Sequence, residues 1–304
     1  MKTRLFVSLM LFALTVVPLA LLSAIQHRED AQHDLSTRDD QLVNFSQAAA
    51  RGIAVRLDRV LGSLRADAAF PGLGEALLPA AKADPVWVNR VLMLVAQREP
   101  VYAGSVALLD RQGLNRFDTQ AMRVGRSEAD AGYLTSGMAR SIPQLFGPLH
   151  TAEDARSALV VVAPVSAAGE RQGLLRMRLD VGVVGQVLAE VLSEQGRLQG
   201  LVFDAQGQLQ AWTDPELRHE DAVPLSGFGL ADLPGNLQWR GLDFRGVASR
   251  VAGADLWVLV YEPLSAHEAP LRASRRDWLI SLMLMCLVGL GAAFWIASRL
   301  ARPV

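Results

Sequence analysis

The chain has 304 residues, with 30 Lys and Arg against 31 Asp and Glu, and its formal net charge is −1. This balance gives no overall positive field, so we do not expect the protein to bind nucleic acid. The single cysteine, Cys286, lies in an apolar stretch, and no second thiol is present to form a disulfide with it. The folded part must therefore be held together by its own apolar core, which a chain of this length can supply.

Two uncharged apolar stretches, residues 5–25 and 278–296, are long enough to cross a membrane. Each has about the 20 residues that a helix needs to span a hydrocarbon layer of about 30 Å. Basic residues flank both stretches on the side of the chain ends: Lys2, Arg4, Arg299 and Arg302. The positive-inside rule then predicts that both ends are cytoplasmic and that residues 26–277 are extracytoplasmic. The alternative interpretation of the first stretch is a cleaved signal peptide.

A long helix is predicted to follow the first stretch. Apolar residues recur at intervals of three and four over residues 42–64, which places them on one face of a helix. We expect this stalk helix to cover residues 26–70 and to end before Pro71. Its apolar face either packs on the extracytoplasmic domain or forms a dimer seam, and we expect a homodimer with a contact near the membrane.

The next segment, residues 71–195, is predicted to form a membrane-distal module. A helix is expected over residues 84–98, after which the pattern changes to that of strands. Apolar runs at 157–163 and 174–179 are separated by a glycine-containing turn at 169–173. The pattern predicts a β-hairpin.

A short pattern then occurs twice. Residues 107–113 read Ala-Leu-Leu-Asp-Arg-Gln-Gly, and residues 201–207 read Leu-Val-Phe-Asp-Ala-Gln-Gly. A threonine follows each aspartate at the same interval, as Thr119 and Thr213. Unless the turns match by chance, the recurrence predicts two copies of one strand-turn-strand unit. The second copy opens a membrane-proximal module over residues 196–263.

The order of these elements resembles the double Cache sensor domain of bacterial transmembrane receptors. The matching segments are residues 106–113, 125–133, 163–165, 173–180, 201–207 and 255–261. The resemblance implies an α+β fold in which a long membrane-anchored N-terminal helix carries two tandem PAS-like antiparallel-sheet modules between two transmembrane helices. A connecting helix over 264–277 would lead into the second span at 278–297. Residues 298–304 look like the start of a HAMP linker that continues beyond Val304.

The resemblance also implies a function. The chain would be the sensory part of a receptor in the bacterial inner membrane, binding a small extracytoplasmic ligand in its distal module. The signal would pass to a cytoplasmic output domain of the histidine kinase, chemotaxis or cyclic-nucleotide type. No catalytic residue, metal or cofactor is expected within residues 1–304. The alternative is a membrane-tethered binding or scaffold protein without such an output.

Two neighbouring arginines are the first candidate ligand contacts. Arg176 and Arg178 are two apart on a predicted strand and therefore project from one face. Paired guanidinium groups suit a carboxylate or a phosphate. The alternatives are a solvated face, or ion pairs with Asp118 or Glu128. The two arginines thus favour an organic anion, and the resemblance argues against an amino acid, because amino-acid-binding members carry an aspartate about where this chain has Arg178.

Three further residues of the distal module are candidate contacts. Tyr133 offers a ring and a hydroxyl in the loop that would close over the ligand, although it would equally suit the core. The amino-acid-binding members carry Arg-x-Trp-Tyr at this loop, where this chain reads Asp130-Ala-Gly-Tyr133. Arg126 in the same loop is either a ligand contact or a surface charge. Asp118 either binds an amine or accepts hydrogen bonds from its own turn.

Overall fold

The computed structural model describes residues 2–78, 84–99, 103–149, 158–193, 195–215, 217–218 and 234–300. Within them the helices are α1 (Lys2–Ala68), α2 (Pro85–Ala96), α3 (Gly132–Ala139), α4 (Gly182–Leu192), α5 (Leu264–His267) and α6 (Ala269–Leu300). The first five strands are β1 (Ala103–Asp110), β2 (Asn115–Asp118), β3 (Gln144–Leu149), β4 (Ala158–Ala167) and β5 (Glu170–Asp180). The others are β6 (Gln199–Asp204), β7 (Leu209–Trp212), β8 (Gly235–Trp239), β9 (Leu242–Arg250) and β10 (Leu256–Pro263).

The strands form two antiparallel sheets of identical topology. The distal sheet has the order β2-β1-β5-β4-β3, and the proximal sheet has the order β7-β6-β10-β9-β8. The chain leaves the proximal sheet from β10 directly into α5 and α6. The predicted α+β fold, with a long N-terminal helix and two tandem sheet modules, is confirmed.

Helix α1 runs unbroken along both sheets. Its buried apolar residues include Leu42, Ile53, Leu57 and Leu64, and they belong to one core with residues of both sheets. The face predicted at helical spacing is therefore a packing face, because it removes this apolar surface from water. The predicted dimer contact stays a prediction.

The hydrogen bonds and backbone angles of the two turns confirm the internal repeat. In both turns one oxygen of the aspartate accepts hydrogen bonds from the backbone N–H groups two and four residues later, at 2.9–3.0 Å. Thr119 and Thr213 each accept a hydrogen bond from a strand N–H, at 3.0 and 2.8 Å. Each turn ends on a glycine of positive φ, +79° at Gly113 and +81° at Gly207, a conformation that glycine adopts without steric cost.

The hairpin in the distal sheet corrects one prediction. Strands β4 and β5 are joined by Ala168 and Gly169 alone, both at positive φ, as in the favoured two-residue hairpin turns. The predicted turn at 169–173 is wrong, because its last four residues belong to β5. Gly173 serves a different purpose, since a Cβ there would lie 1.9 Å from the carbonyl oxygen of Leu109 on β1. It permits two strands to approach closely.

The N-terminal part of α1 and α6 pack side by side. The ring of His27 stacks on that of Trp278, with 6.2 Å between the ring centroids. Among the residues searched, one segment, Arg275–Ile296, is long and apolar enough to span a membrane, with a mean hydropathy of 2.4. The first span at 5–25 lies within α1 and stays a prediction. The end of the HAMP-like segment, 301–304, lies outside the described residues.

Candidate functional site

The two candidate arginines lie side by side on β5, the central strand of the distal sheet. Arg176 is paired with Ala107 on β1 and Arg178 with Ser105. Because side chains alternate along a strand, both guanidinium groups lie on the same face, as predicted. The intervening Met177 lies on the other face, in the core shared with α1. The arginines therefore belong to the face of the distal sheet that is turned away from α1, here called the outer face.

Helix α3 and the segment before it cover this outer face. Tyr133 and Leu134 of α3 pack on apolar residues of β1, β4 and β5. Tyr133 thus lies at the start of a short helix, not in a loop as predicted, and only 3% of it is exposed. The helix packs on the sheet through Tyr133, Leu134 and Gly137, and a Cβ at Gly137 would lie 2.9 Å from the side chain of Val162.

Arg176 is fully buried and makes three polar contacts. It donates hydrogen bonds to Ser105 Oγ, to Asp118 Oδ2 at 3.2 Å and to Glu128 Oε1 at 2.9 Å. Its Nε is buried with no hydrogen-bond partner among the described residues. A buried guanidinium group is tolerated when carboxylates compensate its charge. The ion pairs with Asp118 and Glu128, one of the alternatives in the sequence analysis, are therefore present.

Glu128 lies in the segment that covers the outer face, and it contacts both arginines. Its Oε1 lies 3.8 Å from Arg178 Nη2 in addition to the contact with Arg176, and its Oε2 accepts a hydrogen bond from the Tyr133 hydroxyl. Burial, followed by the hydrogen bond to Glu128 and its charge, raises the pKa of Tyr133 to about 12. Tyr133 is therefore protonated at neutral pH and acts as a donor. One carboxylate thus holds α3 over the pair of arginines.

The remaining predicted residues differ in their surroundings. Asp118 is buried and accepts hydrogen bonds from Asn115 Nδ2 at 2.7 Å and from the backbone N–H of Gln120 at 2.8 Å, so it serves its turn as well as Arg176. Arg126 is exposed, and its Nε donates to the carbonyl of Met122 at 3.1 Å. The sequence predicts Glu128 only as an alternative ion-pair partner of the arginines.

The internal repeat provides a comparison within the molecule. By the register of the two sheets, Leu259 and Tyr261 on β10 take the places of Arg176 and Arg178 on β5. In the proximal sheet this face is filled by aromatic packing, and the ring of Tyr261 lies 5.2 Å from that of Phe244. The guanidinium pair is thus a feature of the distal module and not of the repeated unit.

Neither a protein-family model nor a curated protein sequence matches the chain. Solved structures do match. The sensor domain of the histidine kinase DctB from V. cholerae has a TM-score of 0.59 and 18% identity, over 77% of this chain and 98% of that one. The sensory domain of the Campylobacter jejuni chemoreceptor Tlp3, with isoleucine bound, has a TM-score of 0.59 and 12% identity, over 78% and 97%.

An extracellular ligand-binding receptor from Desulfohalobium retbaense has a TM-score of 0.56 and 12% identity. The match covers 73% of this chain but 40% of that longer chain. At such identities the likeness concerns the fold. The chain has the fold of the double Cache sensor domains of histidine kinases and chemoreceptors.

Proposed function

We propose that this chain is the sensing part of a two-span receptor in the bacterial inner membrane, and that its distal module binds a small ligand carrying a carboxylate. The observation that carries the proposal is the pair Arg176 and Arg178 on the covered outer face of the distal sheet. Two guanidinium groups on adjacent positions of one face bind a carboxylate through several charge-assisted hydrogen bonds. The fold shared with ligand-binding sensor domains supports the same conclusion.

In this proposal the ligand carboxylate takes the place of Glu128. Arg176 would stay in position, because Ser105 and Asp118 on the sheet also hold it. Glu128 belongs to the covering segment, so its release would free that segment together with α3, which is attached through Tyr133. Ligand binding would then be coupled to movement of the covering segment and α3. The receptor would transmit this movement to its other parts.

The expected route of the signal is α1 and α6. Helix α1 packs on both sheets, and α6 follows directly from the proximal sheet and lies beside α1. A displacement of about 1–2 Å, or a rotation, is the usual size of such helix shifts. A coupling free energy of about 1–3 kcal/mol is enough to bias an output equilibrium. The output itself, a histidine kinase, a chemotaxis domain or a cyclic-nucleotide enzyme, would lie in the cytoplasm, and the receptor would act as a homodimer.

The charges of the site favour an organic anion over an amino acid. An amino acid such as the isoleucine bound to Tlp3 carries an ammonium group besides its carboxylate. Here both nearby carboxylates, Asp118 and Glu128, already compensate Arg176. A simple carboxylate needs no partner for an amine, and after it replaces Glu128 the balance of charge at the arginines is restored.

The proposal is tested by a thermal-shift screen of the full chain in lipid nanodiscs against organic acids, amino acids and amines. Arg178→Ala should weaken binding of the carboxylate found by at least about tenfold, since each 1.4 kcal/mol changes affinity by that factor. The melting temperature of the ligand-free protein should change little. The matched control is Arg111→Ala in the same module, which removes an exposed arginine paired with Glu170. An unchanged binding curve for Arg178→Ala would contradict the proposal.

A further inference from the structure

A second group of charged side chains lies where β10 passes into α5 and α6. His267, the last residue of α5, is 4% exposed. Its Nδ1 lies 2.6 Å from Glu262 Oε1 on β10, and its Nε2 lies 3.7 Å from Asp39 Oδ1 on α1. The imidazole ring is therefore placed between one carboxylate of the sheet and one of the long helix. This junction is the point at which the chain leaves the extracytoplasmic domain for the membrane.

Two arginines compensate these carboxylates. Arg245 on β9 donates to both oxygens of Asp39, at 2.9 and 2.6 Å. Arg38 on α1 lies 3.7 Å from Glu262 and donates to the carbonyls of Ala266 and His267, at 3.1 and 3.3 Å. The next charges along the helix, Glu268 and Arg272, pair with each other at 3.3 Å. The two carboxylates and the two arginines that pair with them balance in charge, and Arg197 lines the same cavity as Arg38 and Glu262.

We infer that His267 is a proton-binding site through which external acidity acts on the second membrane helix. In the contact of 2.6 Å the carboxylate oxygen of Glu262 is the acceptor, so Nδ1 carries the hydrogen of the neutral ring. Nε2 then presents a lone pair to Asp39, and the contact of 3.7 Å is not a hydrogen bond. Protonation turns Nε2 into a donor, and a movement of less than about 1 Å completes a charge-assisted bond.

The consequence of protonation is a new bond between α1 and α5. Because α6 begins two residues after His267, drawing α5 toward Asp39 changes the position of α6 relative to α1. Histidine is the side chain whose unperturbed charge change falls between about pH 5 and 8. The receptor then responds to protons as well as to a ligand. This input does not use the distal site, so it stands or falls independently of the carboxylate proposal.

A double-mutant cycle with Asp39→Asn and His267→Gln tests the inference on the full chain in nanodiscs without ligand. Thermal unfolding is measured at about pH 5.5 and about pH 8, on either side of the ordinary histidine titration. The expected result is non-additive melting temperatures at the acidic pH and additive ones at the alkaline pH, because only the protonated ring bonds to Asp39. Equal coupling at both values would overturn the inference. His33→Gln, at an exposed position of α1, is the matched control and should leave the pH dependence unchanged.

A second measurement needs no variant. The amide of Glu268 donates to the carbonyl of Leu264 at 2.9 Å and closes the turn of α5, so its hydrogen exchange, corrected for the intrinsic rate at each pH, reports how often this turn opens. The unmodified protein should protect this amide about tenfold more at the acidic pH, which corresponds to one charge-assisted hydrogen bond. Equal protection at the two values would overturn the inference even if the variants fail to fold.

Discussion

Replacing Glu128 by glutamine tests whether this carboxylate occupies the place of a ligand. The side chain is 10% exposed, and its contact with Arg176 at 2.9 Å is a hydrogen bond between charged groups. Such bonds contribute about 1.5–3 kcal/mol. Glutamine keeps the shape and one acceptor oxygen but not the charge, so the ligand-free protein should lose about 2 kcal/mol of stability. For a domain of about 150–250 residues, the melting temperature then falls by about 4–8 °C.

The same substitution should strengthen the binding of a carboxylate ligand. In the proposed mechanism the hydrogen bond that Arg176 donates to Glu128 must break before the ligand binds, so weakening it by about 2 kcal/mol raises affinity by about 30-fold. Isothermal titration with the carboxylate found in the screen measures this gain. Glu170→Gln, which removes an exposed carboxylate paired with Arg111, is the control and should leave affinity unchanged. Unchanged or weaker binding to Glu128→Gln would refute the displacement mechanism, and weaker binding of amino acids alone would assign Glu128 to an ammonium group.

Two further predictions concern the distal module. The pKa of Tyr133 is about 12 in the folded state and about 10 in the unfolded chain. The protonated Tyr133 hydroxyl therefore contributes its full stabilisation below pH 10, and this contribution decreases as the pH rises toward 12. Between pH 9 and 11 the free energy of unfolding should fall by about 1.4 kcal/mol through Tyr133, as measured by denaturant unfolding. The Tyr133→Phe variant should not show this decrease, and an equal decrease in the variant would contradict the role of Tyr133. Gly173→Ala should abolish folding or cost several kcal/mol of stability, since its Cβ would collide with the carbonyl oxygen of Leu109. The control is Gly62→Ala on α1, where nothing lies within 4 Å of the new Cβ, and it should add about 0.5–1 kcal/mol of stability. Circular dichroism melting curves measure both glycine variants, and a stable Gly173→Ala protein would refute the close contact of the strands.

The sequence predicted the elements that depend on local pattern. The long helix followed from apolar spacing, and the duplicated module followed from the Asp-x-Gln-Gly turns, whose hydrogen bonds are made within a few residues. The common face of Arg176 and Arg178 followed from the alternation of side chains along a strand. These predictions needed no knowledge of which elements are neighbours in space.

The incorrect or incomplete predictions concern features that are determined by contacts between residues far apart in the sequence. Gly173 indicated a turn in the sequence, yet the neighbouring strand β1 requires a glycine there. Tyr133 was expected in a loop, but packing on the sheet stabilises a short helix around it. The burial of Arg176 and its partnership with Glu128 depend on how the covering segment folds back, which no local pattern contains. The sequence therefore predicts the arginines and, as one alternative, their ion pairs with Asp118 or Glu128, but it cannot choose between those pairs and a solvated face.

The cost of the buried charges leads to a last prediction. In the proximal sheet Leu259 occupies the position of Arg176, so an apolar side chain is compatible with this place in the repeated unit. Arg176→Leu alone should cost about 3–5 kcal/mol, because it leaves Asp118 buried without its guanidinium partner and leaves Glu128 only the 3.8 Å contact with Arg178. Adding Asp118→Asn and Glu128→Gln removes both charges.

The triple variant should therefore recover most of the lost stability in denaturant unfolding, since an apolar replacement of a buried ion network is often neutral or stabilising. It should also lose carboxylate binding altogether. If stability does not recover, the packing of the Arg176 side chain and not its charge holds the site together. If binding survives, the guanidinium group is not the ligand contact. Recovery of stability with loss of binding would mean that the distal module keeps this arginine for recognition, since folding can do without it.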